Sequence, residues 1–339
     1  MLHKTLIHVR YLFVIIGGLF CSLSVFAETE LTIVEKHGAL ATKGNKIVDK
    51  HGTPVSLAGP SLFWSNDGWQ GEAFYNAGVV NTVANEWHAT VIRAAIGADN
   101  AGSVIDSPVT NRFKLKAVIE AAVAEGIYVI VDWHSHYAEQ HPEKAIEFFT
   151  EIASDYGHLP NVIYEIYNEP LNNTDWETVI KPYAVSLIEA IRKVDPDNLI
   201  VVGTQTWSQD VDKAADSPLL GYSNIAYALH FYAGTHKQGL RDRAQRAIDA
   251  GLPLFVTEWG TVNANGDGDI DLQESMRWLI FIKNNQLSHL TWSISNKVEG
   301  ASMIKPEASV WGDWTENDLT ANGIFLREIF RAWQTTDAE

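Results

Sequence analysis

Two apolar runs in this chain end in a glutamate with a turn residue close behind, Pro170 directly after Glu169 and Gly260 after Glu258 and Trp259. The first reads Val162-Ile163-Tyr164-Glu165-Ile166-Tyr167-Asn168-Glu169-Pro170, and the second Pro253-Leu254-Phe255-Val256-Thr257-Glu258-Trp259-Gly260. Branched and aromatic residues suit a buried, pleated surface, and Pro170 lacks the N–H that a ladder needs, so the first run is expected to be a strand that stops at Glu169. Taken singly, either glutamate could do no more than satisfy backbone groups at a strand end. Taken together, two carboxylates delivered by two strands to one cleft are the equipment for cleaving a glycosidic bond, one giving a proton to the leaving oxygen and the other attacking the anomeric carbon.

The elements that must position them recur with a steady rhythm. Strands are predicted at 55–59, 90–96, 127–133, 162–167, 199–203, 226–231, 254–257 and 290–294, after a short hairpin within 38–54. Segments with apolar residues at helical spacing lie between them at 74–87, 112–125, 143–156, 176–194, 241–250, 273–285 and 322–333, with a weaker helix near 210–215. Such alternation fits a closed parallel barrel or a doubly wound open sheet. The first strand-to-helix turn, Gly59-Pro60-Ser61-Leu62-Phe63-Trp64, has no glycine-rich phosphate cradle and so argues against a dinucleotide-binding sheet. The predicted fold is therefore an α/β (β/α)8 TIM barrel. Glu169 then closes the fourth strand and Glu258 the seventh, which puts them across the mouth from each other at the end where barrel chemistry gathers.

Other strand ends supply partners. The second holds Arg93, the third Asp132-Trp133-His134-Ser135-His136, the sixth His230-Phe231-Tyr232, and the eighth Trp292 followed by Lys297 and Glu299. Singly, Arg93 could be a salt bridge at the barrel mouth, His134 and His230 satisfied core histidines, and Trp292 plain packing; their recurrence on successive strand ends points to one site. On these residues the chain, over 52–333, resembles the retaining cellulases of glycoside hydrolase family 5, in particular bacterial endo-β-1,4-glucanases. The resemblance implies Glu169 as acid/base, Glu258 as nucleophile and Asn168 as donor to the sugar 2-hydroxyl. It maps Arg93, His134, His230, Tyr232 and Trp292 onto the family's remaining active-site positions, and Lys297 with Glu299 onto groups that hold a glucosyl unit on the non-reducing side. It extends to Ser61-Leu62-Phe63-Trp64-Ser65-Asn66, Gly68-Trp69 and Trp207, with Trp69 and Trp207 as platforms for sugar rings. Some relatives carry a tyrosine just beyond the arginine; Ala94-Ala95-Ile96-Gly97 has none, so that sugar contact is lost or comes from another loop.

A retaining mechanism implies carboxyls roughly 5 Å apart, an ionised Glu258 that raises the pKa of Glu169 and keeps it protonated, and Arg93 and Tyr232 aiming Glu258. No cofactor is implied, and the expected partner is a β-glucan polysaccharide. A mannanase, xylanase or β-1,3-glucanase would share the same catalytic set, because loops choose the sugar. A carbohydrate-binding barrel that does not hydrolyse would need the aromatics but not both glutamates.

The bulk of the chain fits these expectations. Lys4 and Arg10, the apolar run from Tyr11 to Leu23 and the sequence Val25-Phe26-Ala27 read as a signal peptide cleaved after Ala27, for an extracellular or periplasmic protein. The run is too short to span a bilayer, and Phe20 before Cys21 argues against lipid attachment. Cys21 is the only cysteine, so the mature chain is expected to have no thiol or disulfide chemistry. Residues 28–339 suffice for one catalytic domain. The net charge of -17, which becomes -19 when Lys4 and Arg10 leave with the leader, argues against nucleic acid and anionic membrane partners and suits a neutral ligand. No Ser/Thr/Pro-rich linker follows the last helix, so weak action on crystalline substrate is expected. One further motif competes: Asn263, Asn265, Asp267, Asp269 and Glu274 around Gly268 follow a calcium-loop pattern, or else form an acidic loop that caps the seventh helix through Asp271 and Glu274.

Overall fold

In a computed structural model, which describes residues 31–334, eight parallel strands close on themselves. In chain order they are β1 (Ala58–Leu62), β2 (Val91–Gly97), β3 (Tyr128–His134), β4 (Val162–Glu165), β5 (Ile200–Val202), β6 (Ile225–Tyr232), β7 (Leu254–Gly260) and β8 (His289–Ile294). Each is followed by a helix on the outside: α1 (Ala77–Asn85), α2 (Pro108–Ala124), α3 (Pro142–Tyr156), α4 (Lys181–Arg192), α5 (Val211–Asp216), α6 (Gln238–Asp249), α7 (Leu272–Asn284) and α8 (Ala321–Gln334). The expected TIM barrel is present. The signal peptide and its cleavage after Ala27 lie outside the described residues.

A parallel strand with one face toward the barrel axis and the other under helices is apolar on both, which explains the nearly unbroken hydrophobic runs. The inward set at the bottom of the barrel, including Val91, Ile130, Ile163, Val201, Ala228, Phe255 and Leu290, packs into one cluster. Val34, Leu40 and Ile47, from a short helix (Ile33–His37) and the antiparallel hairpin Ala41–Lys43/Lys46–Val48, join that cluster and plug the barrel floor.

Among the boundaries that differ from expectation, two bear on the floor and the site. The first barrel strand begins at Ala58, not at 55: Val55 N–H donates to the Ile47 carbonyl at 3.0 Å and Leu57 N–H to Ser288 Oγ at 2.9 Å, so these residues belong to the floor. The fourth strand leaves its ladder at Glu165, not Glu169, because β5 offers it only Ile200 and Val201 as partners. Asn168 and Glu169 thus project beyond the sheet.

The seventh strand carries an irregularity that matters for the site. Its pairing with β6 runs Ala228↔Phe255 and then His230↔Glu258, and its pairing with β8 runs His289↔Val256 and then Thr291↔Trp259. On both sides β7 spends one more residue than its neighbour, which is a β-bulge.

Candidate active site

Above the apolar floor, the next inward positions of the strands are polar. Arg93 on β2, fully buried, reaches three carboxylates: Nε to Glu165 Oε2 at 2.7 Å, Nη1 to Glu258 Oε2 at 3.0 Å, and Nη2 to Asp132 Oδ2 at 2.9 Å. Nη2 also donates to Asn168 Oδ1 at 2.7 Å, which leaves the Asn168 amide NH2 to donate elsewhere. Burial disfavours the guanidinium charge, but Asp132, Glu165 and Glu258 outweigh it and raise the pKa.

Glu258 is gripped at both oxygens, since the Tyr232 hydroxyl donates to Oε1 at 2.8 Å and Arg93 to Oε2. Strict alternation from Phe255 and Thr257 would send residue 258 outward; the extra residue in β7 turns both Thr257 and Glu258 toward the axis. One carboxylate oxygen each of Glu169 and Glu258 and a ring nitrogen of His230 lie within 4.8 Å of one another, so the two carboxylates face each other across the cleft.

Glu169 stands between two imidazoles. His230 Nδ1 lies 3.0 Å from Oε1, and His136 Nε2 lies 3.2 Å from Oε2. His230 is fixed from behind, because Thr257 Oγ1 donates to Glu165 Oε1 at 2.6 Å and lies 2.9 Å from His230 Nε2. Here the expected charge pattern is reversed. Burial favours neutral Glu169, yet the hydrogen bonds and positive charge of His136 and His230 outweigh it and hold the carboxyl down at about 2. Burial and then the neighbouring Glu169 charge push Glu258 up. Burial opposes charge on His230 too, but Glu165 and Glu169 raise it to about 9; on His136, Asp99 and Glu169 overcome burial and raise it to about 10.

The aromatic residues line a groove. His134, kept neutral by burial and the nearby Arg93 charge, meets Asp132 Oδ2 through Nδ1 at 2.6 Å and stacks on Trp292 with ring centroids 5.2 Å apart. Trp292 is nearly buried and forms floor rather than rim. On one side, a cavity of about 410 Å³ is lined by Trp69, Trp292, Lys297 and Glu299 together with Glu258. Lys297 pairs with Glu299 at 2.8 Å and sits over the Phe63 ring at 4.3 Å. On the other side, a cavity of about 560 Å³ is lined by Trp207, Gln209 and His236. His136, Glu169 and Tyr232 line both halves, so the halves meet at the acid/base candidate. Trp64, just beyond β1, and Asn100, beyond β2, complete the wall of the half that holds Trp69.

The calcium-like loop does not assemble as a ligand set. Asn265 Oδ1 accepts from Asp267 N–H at 3.1 Å, and Asp267 Oδ1 accepts from Gly268 and Gly300 N–H at 2.8 and 2.9 Å. Glu274, which would close the site, is buried against Arg241 and Arg277, with the latter at 3.0 Å, while Asp271 caps α7. Asn263 and Asp269 therefore lack the closing carboxylate the pattern requires. Of the helix-capping alternative, the Asp271 half holds, while the Glu274 side chain pairs with arginines instead of capping.

Residues 48–298 match the family described as Cellulase (glycosyl hydrolase family 5). The chain belongs to glycosyl hydrolase family 5. Endoglucanase Z of Dickeya dadantii is 46% identical to this family 5 chain over 294 residues, covering 87% of it and 66% of the relative. The chain thus spans about two thirds of that relative's length. Among solved structures, one from Cytophaga hutchinsonii superposes with a TM-score of 0.87 at 47% identity, covering 90% of this chain and 98% of that one. A point variant of the Thermobifida fusca endoglucanase Cel5A catalytic domain, in complex with cellotetraose, does so with a TM-score of 0.83 at 30% identity, covering 88% and 99%.

The order of residues at strand ends does not single out Glu165, Thr257 or Asp99 as parts of the site, and it gives His136 a place on the third strand end without a role. Glu165 and Thr257 did carry a signal, since each is a polar residue inside an apolar strand at an inward position. Asp99 and His136 sit on loops, where spacing carries no direction.

Proposed function

We propose that this protein is a secreted endo-β-1,4-glucanase that cuts cellulose-like glucans with net retention of anomeric configuration. The observation that carries this reading is the approach of Glu169 and Glu258 within 4.8 Å over a groove bearing tryptophans on either side. In inverting enzymes the carboxyls stand roughly 6.5–9.5 Å apart to admit a water, and here the space suits direct attack instead.

Glu258 is the nucleophile. Tyr232 and Arg93 orient its two oxygens, and attack on the anomeric carbon forms a glycosyl ester as the bond to the leaving sugar breaks. Glu169 supplies the proton to the leaving oxygen, then takes one from the water that hydrolyses the ester. Once Glu258 is esterified its charge is gone, which removes the repulsion that opposes an ionised Glu169. Asn168, with its carbonyl oxygen committed to Arg93, donates through its amide to the sugar 2-hydroxyl. Lys297 and Glu299 bind a glucosyl unit beside Trp69, and Trp207 receives the sugar on the opposite side of Glu169. Sugars on both sides of the scissile bond favour cutting inside a chain. The preference for β-1,4-glucan rests on the endoglucanase relative and on the cellotetraose bound by the structural neighbour. Residues 28–339 form the catalytic domain, exported by a leader ending at Ala27.

The test is reducing-end release from carboxymethylcellulose, with mannan and xylan alongside, recording the first anomer formed. Cleavage of the cellulose derivative with the β-anomer first is expected. Preference for mannan or xylan sinks the substrate, an α-anomer sinks the retaining mechanism, and binding without cleavage sinks hydrolysis.

A further inference from the structure

The free cleft poses a problem for its own chemistry: the group that must donate a proton is held as a carboxylate. Its two imidazole neighbours are not equivalent. His230 has 1% of its side chain exposed and is anchored through Thr257 to Glu165, so it holds Glu169 Oε1 from a fixed, buried position. His136 has 30% of its side chain exposed and lies on the loop after β3, where it lines both halves of the groove. Glu169 Oε2, whose partner is the exposed one, is therefore the oxygen that faces an incoming glycosidic oxygen, and His136 Nε2 occupies that place in the empty cleft.

The far side of His136 is built to support a positive charge. Asp99, on the loop after β2, accepts from His136 N–H at 2.7 Å and lies 3.7 Å from His136 Nδ1, while its other oxygen accepts from Ser135 Oγ at 2.6 Å. Charged and titratable neighbours face His136 from several elements: Asp99 after β2, neutral His134 at the end of β3 and Tyr137 just beyond it, Glu169 after β4, Tyr167 through its hydroxyl bond to the His136 carbonyl at 3.1 Å, and His230 across Glu169 on β6. The nearest charges are the two carboxylates, one at each ring nitrogen.

We propose that His136 is the proton reservoir and positioning residue of Glu169. This rests on the hydrolase reading above. In the empty cleft the acid's proton resides on His136 Nε2. When the sugar on the leaving-group side enters and expels water, the Nε2–H bond breaks and an Oε2–H bond forms, leaving neutral imidazole and neutral carboxylic acid. Loss of water favours that neutral pair over the ion pair. Glu169 then protonates the leaving oxygen, regains a proton from the hydrolytic water, and returns it to His136 as product leaves. Protons balance over the cycle, and no redox partner is needed.

The test compares kcat/KM for wild type, His136→Gln and His136→Ala on aryl β-cellobiosides with poor and good leaving groups. A dinitrophenolate leaves without a proton, so the acid's contribution, of order 10²–10⁴-fold in general, vanishes from that substrate. The loss in both variants is expected to be at least about ten-fold larger on the poor leaving group than on the dinitrophenyl substrate. His136→Gln keeps a donor toward Oε2 but no transferable proton, so it should not rescue. In both variants the alkaline limb of the kcat/KM profile should move down, from near the His136 value of about 10 toward the His230 value of about 9. Equal losses on both substrates, rescue by glutamine, or an unmoved alkaline limb would overturn the role of His136 while leaving the enzyme intact. A wild type inert on every β-cellobioside and β-glucan would overturn the hydrolase reading itself, and the reservoir with it.

Discussion

The lower and upper halves of the barrel interior are built from the same strands with opposite physics. Going up β2, the inward side chains change from Val91 to Arg93; on β3 from Ile130 to Asp132, on β4 from Ile163 to Glu165, and on β6 from Ala228 to His230. Both tiers are buried. The lower one is stabilised by removing apolar surface from water, at roughly 25 cal/mol per Å². The upper one would be unstable piece by piece, and persists because Arg93 answers three carboxylates and Thr257 joins Glu165 to His230. A charged tier on an apolar one teaches that the floor supplies rigidity so that the layer above can hold groups in states they would not choose in water.

That contrast can be broken at either tier. Glu258→Gln should lower kcat on carboxymethylcellulose by at least about 10³-fold, since single losses from a catalytic set cost about that much or more. Because the substitution removes a buried carboxylate whose charge is already disfavoured, its thermal midpoint should hold or rise; a marked fall would mean that this side chain is part of the scaffold. Arg93→Met should cost both function and about 3–5 kcal/mol in urea unfolding, because it strands buried carboxylates without their cation. Stability equal to wild type would refute the pairing account of the upper tier. Ile130→Ala, one tier below, should lose about 2–5 kcal/mol to a cavity while kcat/KM per folded molecule stays within about two-fold. A large kinetic defect there would show that the floor does more than support.

The gentlest probe is pH. Glu169 is depressed from 4.5 to about 2, so its contribution is complete above about 4.5 and is lost as pH falls toward 2. His230 is raised from 6.5 to about 9, so its contribution is complete below 6.5 and is lost as pH rises through about 9. The thermal midpoint should therefore peak between roughly 4.5 and 6.5 and decline on both sides. A midpoint flat from 6.5 to 9.5 would deny His230 its charge.

Much of this was legible in the order of residues. Nearly continuous apolar runs, helical spacing between them and turn residues at their ends specify eight strand-helix units, and a ring of eight puts the ends of the fourth and seventh strands across one mouth. Chemistry-bearing residue types at strand ends then name Glu169, Glu258, Arg93, His230 and Tyr232 as a group. What the order of residues does not contain is direction and environment. The outward parity of position 258 is overruled by a bulge in β7, which spends one residue more than either of the two neighbours it pairs with. The charge on Glu169 depends on two histidines separated from it by 33 and 61 positions, and only barrel closure sets their approach to 3.2 and 3.0 Å. Electrostatic energy depends on distance through space, and distance along the chain does not record it.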